Sequence, residues 1–263
     1  MLFKQLLAFG ALANGLATRQ EKPIWLTLPP TPDLPAPITH RTTPINNVSL
    51  WMQEYNKKAD AIPIVMDHGG LGYSAYFGSV ISRLIKDGYY VIAVDRRGHG
   101  RSTFNKNDVF TYEGFAQDTN DLLKSHEPIK KAFIFGGSAN PEQTNATFSS
   151  TDIFSEFVSR CRTEYGELQP HANFTLFGTK VATMEATLPQ FTDGQLGSID
   201  GPRVIIVGAE HEEAVNRDVP EKLHKAIKGS HIEILTGVSH FAPLQDPDQF
   251  TKAVEEWFEA PIP

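Results

Sequence analysis

Five short stretches of this chain hold residues whose types and spacing could do chemistry. His68-Gly69-Gly70-Leu71-Gly72 lets backbone approach a ligand closely and leaves N–H groups to face it. A negative oxygen forming in an acyl-transfer transition state needs donors of that kind. Asp95-Arg96-Arg97-Gly98-His99-Gly100-Arg101-Ser102 gathers charge in a second turn, where the charges are expected to pair and hold the loop, leaving His99 structural. Gly136-Gly137-Ser138-Ala139-Asn140 presents a hydroxyl after a short apolar run, and Glu210, Glu212 and Glu213 crowd an acidic loop around His211. His240, in Gly237-Val238-Ser239-His240-Phe241-Ala242-Pro243, lies just past another apolar run, where an imidazole can reach a hydroxyl from outside a sheet and act as general base. The readings without chemistry are a plain glycine-rich turn at 68–72 and a satisfied surface histidine at 240; the other eight histidines lack this placement.

The elements that must position these residues follow from hydrophobic periodicity. Short apolar runs at 62–66, 89–94, 132–135, 204–207 and 232–235 read as buried strands. Between them lie helical stripes: Phe77, Val80, Ile81, Leu84 and Ile85 closed by Gly88, then Tyr112, Phe115, Leu122 and Leu123, then Leu223, Ala226 and Ile227 closed by Gly229. Asp246-Pro247 opens a last helix carrying Phe250, Val254, Trp257 and Phe258. Apolar runs alternating with helices predict an α/β fold with a mostly parallel central sheet covered on both faces. Residues 48–55 alternate loosely and predict an antiparallel first strand.

The stretch from 138 to 200 contains no comparable strand. Asp152 is expected to cap a helix with the stripe Phe154, Phe157, Val158, Cys161, Tyr165 and Leu168, and an amphipathic stretch follows over 181–196. An insertion at about 142–198 thus predicts a small helical cap over the carboxyl edge of the sheet, where α/β proteins bind ligands. The expected organisation is a leader over 1–17, an extended Pro- and Thr-rich arm over 18–44, and an α/β domain over 45–263.

The glycine turn and the Asp-Arg-Arg-Gly-His-Gly-Arg-Ser turn, one βα step apart, resemble the α/β-hydrolase superfamily, single-domain serine hydrolase and esterase type. The resemblance covers about residues 45–135 and 200–260. It implies the α/β-hydrolase fold and a Ser-acid-His triad. His211-Glu212-Glu213-Ala214 resembles the family's acid loop, so Glu212 is implied as the orienting acid, with Glu in place of Asp; Glu210 and Glu213 are fallbacks. His240 is implied as the general base. The family's nucleophile elbow, G-x-S-x-G between strand and helix, has one counterpart, which implies Ser138 as nucleophile. Gly69, Gly70, Leu71 and Ala139 are then implied as oxyanion-hole residues.

A second alignment stays open. The elbow's last glycine is Asn140, and the chain continues with Pro141 and polar residues rather than a packed helix. Lys130 to Pro141 also resembles the family's next strand, the one that leads into the cap. On that alignment a βα unit of about thirty residues is absent between about residues 126 and 130. Two functions follow: a hydrolase of ester or related acyl bonds using Ser138, Glu212 and His240, or a family member without catalysis because the elbow is missing.

Composition narrows the rest. With 263 residues, 40% hydrophobic and 21% charged, the chain can bury a large core. A net charge of −7 with no basic run argues against nucleic acid as partner. The glycines after the first strand do not form G-x-G-x-x-G, which argues against a dinucleotide, and no metal or organic cofactor is implied. The expected partner is a small acyl substrate. The apolar stretch from Leu6 to Ala17 is too short for a membrane span and reads as a secretory leader; Asn-x-Ser/Thr triplets at Asn47, Asn145 and Asn173 fit secretion and glycosylation. Cys161 is the only cysteine, so no intramolecular disulfide is possible, and its stripe makes it a core residue.

Overall fold

The expected runs become strands whose ends shift by a residue or two according to burial. The fold is seen in a computed structural model that describes residues 22–58, 61–124, 129–169 and 171–261. The leader, the start of the arm, and residues 126–128 of the proposed deletion site lie outside the described residues. Strands β1 (Thr42–Ile45) and β2 (Val48–Tyr55) form an antiparallel hairpin. Its two-residue loop, Asn46-Asn47, has both residues at positive φ, the twist that a tight hairpin requires. β3 (Ile64–Asp67) begins two residues later than the run suggested, because Ile62 is 53% exposed. Helix α1 (Gly78–Lys86) leads to β4 (Val91–Asp95), buried at every position, and α2 (Tyr112–Leu122) follows. β5 (Ala132–Phe135) precedes the cap.

The cap holds α3 (Asp152–Leu168), α4 (Phe174–Thr187) and the short α5 (Asp193–Gly197). Thr151, not Asp152, caps α3: its hydroxyl accepts from Phe154 N, and Asp152 is the first helical residue. The amphipathic stretch expected over 181–196 is two helices, since Pro189 cannot continue α4. The body resumes with β6 (Val204–Ala209), α6 (Val219–Ala226), β7 (His231–Leu235), a short α7 (Ala242–Gln245) and α8 (Pro247–Glu259). The Asp246 side chain accepts from Gln249 N and caps α8 as expected.

This is an α/β-hydrolase architecture with its central sheet in two pieces. One piece has the order β1-β2-β4-β3 and the other β5-β6-β7. β3 and β4 run parallel, as do β5, β6 and β7. Among the described residues, no strand pairs with the second edge of β3 or of β5. Yet one core spans both pieces: Met66 and Ala93 share a cluster with Val207 and Leu235, sealed by Val80, Leu84, Phe250 and Trp257 of α1 and α8. Helix α2 covers the other face of the first piece through Leu122, and α6 covers that of the second through Val219 and Leu223. The break is felt locally: β6 is buried throughout, whereas β5 is half-buried at all four positions.

The arm straps the cap to the body. Arg160 of α3 donates to the carbonyls of Leu28 and Pro29, and Gln245 of α7 donates to that of Thr27. Trp25 stacks on His211 at 4.0 Å. The arm ends at β1, which starts at Thr42, inside the expected boundary at 44. Cys161 is buried in the cap, where burial pushes its thiol up to about 12. No helix among the described residues is long and apolar enough to cross a membrane.

Candidate active site

His240 and Glu212 leave the carboxyl ends of neighbouring parallel strands and meet. β6 ends at Ala209 and β7 at Leu235, and the two strands are in register at those residues. His240 Nδ1 lies 2.9 Å from Glu212 Oε1 and 3.1 Å from Oε2. Because an ionised carboxylate only accepts, Nδ1 carries the proton and donates. Glu212 is 5% exposed, and its Oε1 also accepts from the N–H groups of Ala214 and Val215. Burial alone would raise its carboxyl; His240 and the two backbone donors outweigh that and bring it below the usual range. Burial alone would lower His240, but the charge of Glu212, then of Glu213 and Glu185, raises it to about 9.

The loop carrying His240 is held by the other acids of the sequence. Glu213 accepts from His240 N at 3.0 Å and from Ser239 Oγ at 2.8 Å. Ser239 is fully buried and is also bonded through its N–H and hydroxyl to Gln245. Glu210 accepts from Gly237 N. Of the three carboxylates in this loop, Glu212 reaches the imidazole ring and the others hold the loop's backbone. Gly136 forms the floor under the ring: a Cβ there would lie 2.8 Å from His240 Cε1, and its φ is +60°. Any side chain at 136 would displace the imidazole and strain the backbone.

The glycine turn follows β3. Gly70 has φ +50°, and its carbonyl is 2.9 Å from His99 Nε2. Among the described residues, the N–H groups of Gly69, Gly70 and Leu71 have no protein acceptor. His68 and His99 brace this turn from beneath. His68 Nε2 accepts from Arg96 N at 3.1 Å, and His99 Nδ1 lies 2.9 Å from Arg97 O. Burial first of all drives His68 well below its ordinary value and His99 down to about 4, so both are neutral supports, and the single N–H of the His99 ring donates to one of its two carbonyl neighbours. The charged turn after β4 is self-paired as expected. Asp95, fully buried, accepts from Ser74 N and Arg101 N. Arg97 joins Asp108 and Asp118, and Arg96 joins Asp67.

Ser138 is not hydrogen-bonded into this arrangement among the described residues. It follows β5, half-buried, three residues past the strand's end. Among the described residues no hydrogen bond joins it to His240, whose Nε2 has no protein partner. A 3-10 turn at Pro141–Gln143 follows, rather than a helix, and the positive φ lies at Gly136, not at the serine. Ala139 N, implied as an oxyanion donor, is given to Gln143 Oε1 at 2.6 Å and has no second proton to offer. The sequence also left unmarked Glu185 of α4, whose Oε1 stands 4.0 Å from a Cβ built on Gly70. No motif surrounds that glutamate; only the fold of the cap brings it here.

Comparison with known proteins agrees with this fold. A model of the alpha/beta hydrolase fold family matches residues 62–139. An uncharacterised hydrolase of Bacillus subtilis is 26% identical over 52% of this chain and 49% of its own length. A proline iminopeptidase of Saccharolobus solfataricus is 30% identical over 45% of this chain and 33% of its own. This chain therefore spans half or less of both relatives. A serine hydrolase of Homo sapiens is 23% identical over 84% of this chain and 87% of its own. Among solved structures, an enol-lactonase from Burkholderia xenovorans superposes with a TM-score of 0.60 at 16% identity, covering 82% of this chain and 99% of that one. A meta-cleavage product hydrolase from Pseudomonas fluorescens gives 0.62 at 12% identity over 83% and 97%.

Proposed function

We propose that this chain, which has the fold of the α/β hydrolases, hydrolyses ester or related acyl bonds, with His240 as general base oriented by Glu212 and Ser138 as nucleophile. The observation that carries the reading is the contact of His240 Nδ1 with the buried Glu212 carboxylate at 2.9 Å, which leaves Nε2 to take a proton. The unengaged N–H groups of the glycine turn support it, since they suit a developing oxyanion. In this reading Ser138 Oγ attacks the carbonyl carbon as its proton passes to His240 Nε2. His240 then returns the proton to the leaving group, and water releases the acyl group by the same route. The substrate is a small acyl compound entering under the cap. We further propose secretion, on the strength of the apolar leader, with glycosylation of the Asn-x-Ser/Thr triplets as its corollary.

A second reading is favoured by one observation: the sheet is split beside β5, and Ser138 precedes no helix. A nucleophile works from a strand-to-helix elbow that fixes its hydroxyl, and a serine on a loop at a half-buried edge lacks that restraint. In this reading the chain keeps the acid–base half of the site and binds ligand without turnover. One experiment separates the two. The full chain is treated with a fluorophosphonate probe and the adduct located by mass. An adduct on Ser138 that disappears in Ser138→Ala, and forms at least about 1,000-fold more slowly in His240→Ala, supports the hydrolase. A folded protein that takes no adduct and turns over no p-nitrophenyl ester overturns it in favour of the second reading.

A further inference from the structure

The arm meets both loops of the acid–base pair from outside. A single 3-10 turn at Ile24–Leu26 shapes it, with Thr27 N donating to Ile24 O. The turn lays Trp25 flat on His211, with ring centroids 4.0 Å apart and planes 10° apart. His211 directly precedes Glu212, and its N–H donates to Val238 O of the histidine loop at 3.0 Å. Two residues beyond Trp25, Thr27 O accepts from Gln245 Nε2 at 2.9 Å. Leu28 is buried in a cluster with Phe241 and Leu244, and Arg160 of α3 holds the carbonyls of Leu28 and Pro29. The arm is thus pinned on either side of Thr27.

From Thr27 a directed chain of hydrogen bonds runs to His240. Gln245 Oε1 accepts from Ser239 N at 2.7 Å, which turns the amide's NH2 group toward Thr27 O and Ser239 Oγ. Ser239 Oγ accepts from that amide and gives its one proton to Glu213 Oε1 at 2.8 Å. Glu213 Oε2 accepts from His240 N at 3.0 Å. Both amide protons and the hydroxyl proton therefore have acceptors, and removing any member strands a polar atom. Ser239 and Gln245 are buried, so that loss is costly and the loop shifts to relieve it.

We propose that Trp25 and Thr27 of the arm are positioning residues for the Glu212–His240 pair: Trp25 seats the acid loop through His211, and Thr27 seats the histidine loop through Gln245. This role rests on the reading of His240 as general base, but not on Ser138 being reactive. The arm sets where the carboxylate and the imidazole stand relative to each other, and it acts on both through other side chains.

The test uses the full chain, with the His240 Cε1 proton titrated by NMR. Trp25→Ala is expected to lower the His240 midpoint by about one pH unit, a tenfold loss of coupling to Glu212, and Gln245→Met to lower it at least as far. Trp25→Phe keeps a flat ring on His211 and is expected to restore the parent midpoint. Glu212, Glu213 and Glu185, whose charges act on the imidazole, are present in every variant, so a shift reports geometry and not a lost charge. A residue that merely stabilised the fold would lower the melting temperature and leave the midpoint in place. Parent-like midpoints in Trp25→Ala and Gln245→Met overturn the proposal, as does a fall in Trp25→Ala that Trp25→Phe does not restore. Trp25 is only half-buried, so Trp25→Ala decides the matter even where the buried Gln245→Met fails to fold. A shifted midpoint without a fluorophosphonate adduct in the parent chain leaves the arm in this role and removes the hydrolase reading; an adduct on Ser138 with unshifted midpoints does the reverse.

Discussion

His240 and Glu212 are each held in their charged state by the other. The unfolded imidazole titrates near 6.5 and the folded one at about 9, so the stability it contributes is fully present below 6.5 and is lost as pH rises through 9. Glu212 works in the opposite sense. Its folded carboxyl titrates below the unfolded value, so its contribution is present above that value and disappears as pH falls through the folded one. The pair therefore stabilises most between the unfolded carboxylate value and about 6.5, and the His240 part falls away from there to about 9. Titrating the His240 Cε1 proton by NMR should give a midpoint near 9 in the parent chain and a lower one in Glu212→Gln. A parent midpoint at or below 6.5 refutes the coupling. Base catalysis needs the neutral ring, so kcat/KM for any ester substrate should rise across that same midpoint.

At the scale of elements, the informative comparison is between β5 and β6. Both are short apolar strands in one parallel sheet, but β6 is paired on both edges and β5 on one. A parallel strand alternates its N–H groups between its two neighbours, so half of those in β5 point away from β6. Hydrogen exchange measured by mass spectrometry should show the peptide spanning 132–135 exchanging at least about tenfold faster than that spanning 204–209. Equal protection would mean that the outer edge of β5 is covered. The contrast also explains why Gly136 and Ser138 differ in service. Gly136 is pinned beneath His240 and its N–H donates to Val207 O, whereas two residues on the chain has left the sheet.

For the whole molecule, the split leaves apolar surface that an unbroken sheet would bury. Ile62, just before β3, is 53% exposed and Ile129, just before β5, is 85% exposed, so the same end of both flanking strands carries an uncovered isoleucine. Apolar patches at an unpaired strand edge promote association. The chain should bind the dye ANS in its native state and associate with rising concentration, read by light scattering. Ile129→Lys should reduce both. A dye-silent monomer at high concentration would show that the break is sealed. The shared core beneath α1 and α8 keeps the two sheet pieces one cooperative unit, so a single melting transition is expected.

Local pattern settled much of this protein in advance. Strand order in the chain, the helix stripes, the α8 cap at Asp246, the self-paired Asp95 turn and the burial of Cys161 all follow from periodicity and capping, which act over a few residues. The glycine turn and the loops of Glu212 and His240 were legible because strand ends mark where such loops open. Three matters were decided only in three dimensions. Which of three neighbouring glutamates meets the imidazole depends on how one loop curls against another. The N–H of Ala139 is taken by Gln143, which folds back onto it from four residues on. Glu185 comes to face Gly70 across more than a hundred residues of chain through the packing of α4. Periodicity sees neighbours along the chain, whereas these contacts join segments that only the packed core brings together.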